Sequence, residues 1–117
     1  MNIQVRARRL DLPPATREQV DRRLHYALSR FGTLLRSVKV FLSDMNGPRG
    51  GVDKLCRITI HGQALRPVVV EGLAPSLYAA IDVAADRAAH AVARRVEHKR
   101  QRRQQQGFAP HGTEGEE

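Results

Sequence analysis

Apolar and polar residues alternate at the start of the chain, and the same alternation returns in three later segments. Ile3, Val5 and Ala7 alternate with a glutamine and two arginines. A period of two with one apolar side is typical of a half-buried β-strand. The pattern therefore predicts a first strand at 3–7 and three further strands at 38–43, 56–60 and 65–71.

Two longer segments have apolar residues at spacings of three and four, which predicts amphipathic helices. The first follows Pro13 and Pro14, which end a strand and suit the first turn of a helix. Gly32 is predicted to cap its end. The second begins after Ser76, a favourable N-cap, and its alanine-rich side allows it to lie close to a sheet. The apolar positions are Val20, Leu24, Ala27, Leu28 and Phe31 in the first helix, and Leu77, Ile81, Ala84, Ala88, Val92 and Val96 in the second.

The order of these elements, β-α-β-β-β-α, predicts an α+β fold. A helix joins the first two strands, so they are expected to be parallel through a right-handed crossover. Turns at 46–51 and 61–63 indicate hairpins between the later strands. The sequence thus predicts one four-stranded mixed sheet with two helices packed on one face. Residues 1–106 are expected to form this single domain, and 107–117 a disordered acidic tail.

Composition favours a polyanionic partner. The 117 residues carry a formal charge of +8 and have a pI of about 11.0, which suits nucleic acid. No apolar run approaches the roughly 20 residues that would span a bilayer, and the first twelve residues lack the apolar core of a signal peptide. A cytoplasmic protein without a membrane partner is expected. The lone Cys56 excludes an internal disulfide and is interpreted as a small buried hydrophobe.

The residues give little support to catalysis, and no enzyme activity, cofactor, metal or small-molecule substrate is expected. Asp82 and Asp86 lie one turn apart, but acids in the first half of a helix favour its dipole, so a structural role is predicted. The five histidines are scattered, and one cysteine cannot build a zinc site. The glycines at 47–51 lack the Lys-Ser/Thr of a phosphate-binding loop.

Basic residues on the two helices are the main functional signal. Residues 87–103 contain seven lysines or arginines against the single acid Glu97. Such uncompensated charge opposes folding by repulsion, so a polyanionic partner is a better explanation than a solvated helix face. Few aromatic residues are available to stack on bases, which favours recognition of folded RNA by its backbone and shape. The predicted RNA-binding residues are Arg22, Arg23, Arg30, Arg87, Arg94, Arg95, Lys99 and Arg100.

Two segments resemble the ribosome hibernation-promoting factor family, also called ribosome-associated inhibitor A or sigma-factor modulation proteins. They are the opening MNIQVR and the segment LYAAID at the start of the second helix. The resemblance spans roughly residues 1–100 and implies binding to the small ribosomal subunit and its rRNA, where the protein blocks the mRNA and tRNA channel. The residues that match the family's basic positions are Arg22, Arg23, Arg87, Arg94, Arg95 and Lys99.

The resemblance is to the short form of the family, without a second dimerising domain. The apolar periodicity is also accounted for by one sheet face and two helices, so a monomer is expected off the ribosome. Two alternatives stay open at this point: a general double-stranded-RNA-binding module, and a protein-interaction regulator of the transcription machinery. A leading strand at 3–7 argues against the first alternative.

Overall fold

The computed structural model describes residues 1–46 and 52–108, with side chains as far as Arg102. Its elements follow the predicted order β-α-β-β-β-α, which confirms the predicted fold. The turn predicted at 46–51 lies, from Gly47 onward, outside the described residues, as does the predicted tail from residue 109. The elements are β1 (Asn2–Arg8), α1 (Pro14–Leu28), a 3-10 helix (Ser29–Phe31), β2 (Leu35–Asp44), β3 (Lys54–Gly62), β4 (Val68–Ala74) and α2 (Leu77–Phe108).

The four strands form one sheet in the order β1-β2-β3-β4. β1 pairs with β2 in parallel, as a helical crossover requires, and the other pairs are antiparallel. The register places Val5, Val40 and Ile58 side by side on one face. The predicted mixed sheet is therefore confirmed.

Both helices cover the apolar face of this sheet. Val20, Leu24 and Leu28 of α1 are fully buried with the strands, and so are Ala84 and Ala88 of α2. Local signals fix where each helix begins. Pro13 and the first residue of α1 start that helix with suitable dihedral angles, while the Ser76 hydroxyl accepts a hydrogen bond of 3.2 Å from the Ala79 amide at the start of α2.

A glycine in β4 lets α2 approach the sheet very closely. A Cβ placed at Gly72 would lie 2.6 Å from the Ala80 carbonyl oxygen and 2.8 Å from the Ala84 amide nitrogen. The helix backbone thus occupies the space that a side chain would need. This contact confirms the prediction that the alanine-rich side of the second helix lies close to the sheet.

Two predicted boundaries are wrong. The fourth strand runs from Val68 to Ala74 and not over 65–71, because Pro67 has no N–H for the ladder and Ala64 turns with a φ of 56°. α1 ends at Leu28, and Gly32 caps the following 3-10 helix by donating its N–H to the Ser29 carbonyl. Across the described part of the chain, neither helix contains a stretch long and apolar enough to cross a membrane.

Candidate RNA interface

The side of α2 that packs on the sheet becomes cationic where the sheet ends. Val92 is buried in the core. Three cations, Arg95, Lys99 and Arg102, lie three, seven and ten residues after it and therefore on the same face of the helix. The 32 residues of α2 extend over roughly 48 Å at 1.5 Å each, about twice the length of the seven-residue strand β4. The last turns therefore carry these cations beyond the sheet.

These cations form a groove with the turn between β3 and β4, which we call the basic groove. The Arg95 guanidinium donates to the Pro67 carbonyl at 3.2 Å, and the Lys99 ammonium donates to the Gln63 carbonyl at 3.3 Å. Carbonyl acceptors position both side chains without neutralising their charge. The groove has a volume of about 420 Å³ and is lined by Ala64, Leu65, Arg66, Arg94, Arg95, Glu97, His98, Lys99, Gln101 and Arg102.

The charge of the basic groove is strongly one-sided. Its lining contains five lysines or arginines and one carboxylate, that of Glu97. This carboxylate also lies 3.5 Å from the Arg100 guanidinium. Among the described residues, the buried Arg95 Nε atom has no hydrogen-bond acceptor. Planar guanidinium groups such as those of the groove match the oxygens of a phosphate well.

A second groove lies between α1 and α2, and we call it the interhelix groove. It has a volume of about 520 Å³ and exposes two tyrosines, Tyr26 at 84% and Tyr78 at 49% of their surface. The Tyr78 hydroxyl is 3.3 Å from the Thr16 hydroxyl, which fixes the tyrosine ring against α1. The lining residues are Gln19, Arg22, Arg23, Tyr26, Tyr78, Ile81 and Asp82.

Arg23 in this groove already has anionic partners within the protein. Its guanidinium donates to Asp82 and to Asp86 at 2.9 Å each, which joins α1 to α2. Burial alone would lower the pKa of Arg23, but the two carboxylates outweigh it and hold the pKa above its usual value. Asp82 and Asp86 thus have a structural role, as predicted, but they fill it by pairing with Arg23 of α1.

The predicted RNA-binding residues do not form a single cluster. Arg94, Arg95 and Lys99 line the basic groove, whereas Arg22 and Arg23 line the interhelix groove. The other three lie outside both grooves and have local contacts. Arg30 stacks 4.7 Å from the centre of the Phe31 ring, Arg87 donates to the Glu71 carbonyl at 2.7 Å, and Arg100 lies beside Glu97.

Neither a metal-binding cluster nor a reactive thiol is found in the described part of the chain. No three His, Cys, Asp or Glu side chains come together there as a metal site would require. Cys56 is fully buried, and burial raises the pKa of its thiol to about 12. This agrees with its interpretation as a small buried hydrophobe and makes it a poor nucleophile.

A match to a protein-family model shows to which family this chain with its basic helices belongs. Residues 3–101 match the family model described as sigma 54 modulation protein / S30EA ribosomal protein. The chain belongs to this family. The match covers β1 to the basic end of α2 and confirms the resemblance seen in the sequence. The family comprises ribosome-associated modulation proteins and is not a family of enzymes.

Solved structures show the same fold. A ribosomal subunit interface protein from Coxiella burnetii matches with a TM-score of 0.68 and 14% identity, over 85% of this chain and 98% of that one. The N-terminal domain of Thermus thermophilus protein Y matches with a TM-score of 0.67 and 30% identity, over 80% of this chain and 98% of that one. A comparison with curated protein sequences finds no match.

Sequence reasoning missed part of each groove. Arg66 lies on the turn before β4, whereas the sequence analysis predicted a strand over 65–71 and assigned RNA binding to the helices; Pro67 was the signal in the sequence that Arg66 lies outside the strand. Arg102 was seen as part of the basic end of α2 but was not selected. Tyr26 lies on the polar side of α1, and this exposed position of a rare aromatic residue was the available signal.

Proposed function

We propose that this member of the S30EA family binds the small ribosomal subunit through its helical surface and blocks the mRNA and tRNA channel. Inhibition would require occupancy alone, with no bond made or broken. Membership of a ribosome-associated family supports the proposal, as do the names of the structural relatives, a ribosomal subunit interface protein and protein Y. The protein would act in the cytoplasm, where ribosomes are found.

The basic groove is the single observation that carries the proposal. It presents five cations against one carboxylate, and two of the cations are positioned by backbone carbonyls. A concave surface with this charge suits the phosphates of folded rRNA better than a flat cationic face does. Arg66, Arg94, Arg95, Lys99 and Arg102 would contact phosphates, and Arg22 would add a contact from α1.

The remaining predicted residues would have smaller parts in binding. Arg30, Arg87 and Arg100 would contribute long-range attraction, since each keeps its charge but is held by a local partner. Arg23 would position α1 against α2 through Asp82 and Asp86 rather than contact RNA. We further propose that the protein is a monomer off the ribosome, which light scattering on a concentration series would test.

Co-sedimentation tests the proposal directly. Purified small and large ribosomal subunits would be centrifuged with the protein on sucrose gradients, and inhibition measured in a cell-free translation reaction. We expect co-sedimentation with the small subunit and inhibition at matching concentrations. Arg94→Gln should weaken both effects, because it removes one cation of the basic groove. Binding to the large subunit alone, or binding without inhibition, would contradict the proposal.

Arg9→Gln provides the matched control, because it removes the same charge at the opposite end of the sheet. Arg9 directly follows the end of β1, whose last residue pairs with Ser43, whereas the basic groove adjoins the far end of β3 at Gly62. We expect this variant to bind and inhibit nearly as the unmodified protein does. Equal losses in both variants would indicate attraction by overall charge and not by the groove.

The description of the family also favours a second candidate, action on the transcription machinery through sigma 54. The same gradients would detect it if RNA polymerase with sigma 54 replaced the ribosomal subunits. Binding to polymerase that survives Arg94→Gln, without binding to ribosomes, would favour this candidate. We expect ribosome binding instead, because the uncompensated cations of the basic groove match an RNA surface.

A further inference from the structure

The sheet face opposite the helices carries a third groove, which we call the sheet groove. It has a volume of about 340 Å³, and its lining includes Gln4, Arg6, Lys39, Phe41, Arg57 and Thr59. These residues come from β1, β2 and β3 and alternate with the core residues of the same strands. The sheet groove therefore faces away from both helical grooves.

Strand register gives the sheet groove a planar centre. Phe41 is paired with Arg6 on one side and with Arg57 on the other. The Arg57 guanidinium lies 5.8 Å from the centre of the Phe41 ring, and its Nε atom donates to Glu71 at 2.7 Å. Glu71 thereby holds the guanidinium over the aromatic ring, so two flat groups are in contact in the middle of the sheet.

The charges of this face differ from those of an ordinary solvated sheet. A solvated antiparallel face usually gains stability from opposite charges on neighbouring strands. Here Lys39 lies between Gln4 and Thr59, and Arg6 lies beside Phe41, so neither cation has a carboxylate as its cross-strand neighbour. Three cations thus line one groove, and Arg57 alone among them is paired across strands with an acid.

We propose that the sheet groove binds single-stranded RNA, with one base stacked on Phe41 and Arg57 and the phosphates contacted by Arg6 and Lys39. Unpaired bases stack on aromatic rings and on guanidinium planes, and four-stranded sheets are a known platform for them. Gln4 and Thr59 border the stack and can hydrogen-bond to a base edge. A duplex is a poor occupant, since its bases are already stacked on each other.

This inference goes beyond the proposed function, because it assigns a separate surface on the opposite side of the protein. A protein with RNA-binding surfaces on both sides could contact two strands or two walls of an RNA cleft at once. The two surfaces carry different residues, so each can be removed without the other. Failure of one assignment can therefore be distinguished from failure of the other.

Fluorescence anisotropy with a labelled oligouridylate tests the sheet groove. A length of about ten nucleotides is within the usual span of one single-strand-binding domain. The background protein carries Arg94→Gln and Lys99→Gln, which weakens competing contacts in the basic groove. In this background we expect Phe41→Leu to weaken binding about tenfold, because stacking on an aromatic ring is worth about 1–3 kcal/mol per base.

Two control variants separate stacking from other effects. Val69→Thr changes an exposed residue on the same face outside the groove, and we expect unchanged oligonucleotide binding. Arg6→Gln with Lys39→Gln should lower the slope of log affinity against log salt by about 1.4, or about 0.7 for each single-strand phosphate contact. Thermal denaturation of each variant would show that the fold is retained.

Crosslinking gives an independent readout of the same site. An oligonucleotide with 4-thiouridine, irradiated on the unmodified protein, should crosslink to peptides from β2 and β3. Equal binding by Phe41→Leu, equal competition by an RNA duplex, or crosslinks confined to α2 would each overturn the inference. Polyglutamate binding to the Arg94→Gln, Lys99→Gln background that is lost in Arg6→Gln with Lys39→Gln but insensitive to Phe41→Leu would also overturn it, because the face would then be a site for acidic protein.

Ribosome co-sedimentation of the same variants keeps the two assignments apart. Weakened small-subunit binding in Arg94→Gln with normal oligonucleotide binding in the sheet groove is the expected pattern. If the unmodified protein binds the oligonucleotide through Phe41 but does not bind ribosomes, the proposed function fails and the sheet groove stands. If it binds ribosomes but not the oligonucleotide, the sheet groove is wrong and the proposed function stands.

Discussion

At the scale of single residues, the basic side chains of this protein fall into two kinds. Arg94 and Arg22 line grooves and form no ion pair with a carboxylate of the described part of the chain, so their charge is available to a partner. Arg23 is held by two carboxylates at 2.9 Å and is only 26% exposed. A cation that is already paired would have to break these contacts to bind a phosphate. We therefore expect the local partner of each arginine to determine whether it contacts RNA.

Arg22→Gln and Arg23→Gln should have opposite effects for this reason. Arg23→Gln should cost about 1 kcal/mol of stability, the upper end for an ion pair whose acids are exposed to solvent, and should change ribosome affinity little. Arg22→Gln should leave stability within about 0.5 kcal/mol and weaken ribosome binding. Urea denaturation and co-sedimentation of both proteins would measure this. The reverse pattern would place Arg23 in the interface.

The buried thiol offers a second test at this scale. Cys56 is fully buried and the pKa of its thiol is raised to about 12, so almost none is thiolate near pH 8. We expect no reaction of the folded protein with a disulfide reagent at that pH, and full reaction after denaturation. Labelling of the native protein much faster than its unfolding would show that Cys56 is accessible and reactive.

At the scale of elements, α2 combines two functions along one helix face. Its first half packs through alanines on β4, and its second half presents arginine and lysine beyond the sheet. Gly72 makes the close packing possible, because the backbone of α2 lies where its side chain would be. The position of the cations therefore depends on how closely the first half of α2 is seated on the sheet.

Gly72→Ala should separate α2 from the sheet. The added methyl group would lie 2.6 Å from the Ala80 carbonyl oxygen, a backbone atom that cannot move by rotation of a side chain. Overpacking of this kind costs about 1–3 kcal/mol of stability. Thermal or urea denaturation would measure it, with Val69→Thr on the same strand as the control. A Gly72→Ala protein as stable as the control would show that α2 adjusts freely.

Much of this architecture could be predicted from the sequence, because periodicity is a local property. The alternation at Ile3 to Ala7 and the three-and-four spacing of the second helix were sufficient for element type and order. The contacts that create the sites are not local. Arg23 and Asp82 are 59 residues apart, and Lys99 reaches the Gln63 carbonyl 36 residues away. Only the packed structure shows which arginines are paired and that Arg66 joins the basic groove.

At the scale of the whole molecule, the positive charge is distributed over opposite sides of one sheet. The helical side carries the basic groove, and the other side carries the sheet groove with Arg6, Lys39 and Arg57. Repulsion between charges on the two sides is weakened by distance and by salt, since the Debye length is about 8 Å at physiological ionic strength. A chain of +8 can thus remain folded while each side attracts a polyanion.

Ribosome binding should therefore weaken steeply with salt. If roughly 4–6 phosphates are contacted, the slope of log affinity against log salt should be about −3 to −5, at about 0.7–0.9 per phosphate. Affinity for small subunits would be measured between about 50 and 200 mM salt, a range over which counterion release changes affinity strongly. An affinity independent of salt would contradict an electrostatic interface.

The salt slopes of single variants show which side chains contact phosphates. Arg94→Gln should lower the magnitude of the slope by about 0.7–0.9, because one phosphate contact and its counterion release are lost. Arg23→Gln should leave the slope unchanged, because Asp82 and Asp86 already neutralise this side chain and no counterion is released on binding. Arg9→Gln should also leave it unchanged. If all three variants lowered the slope equally, overall charge and not the grooves would determine binding.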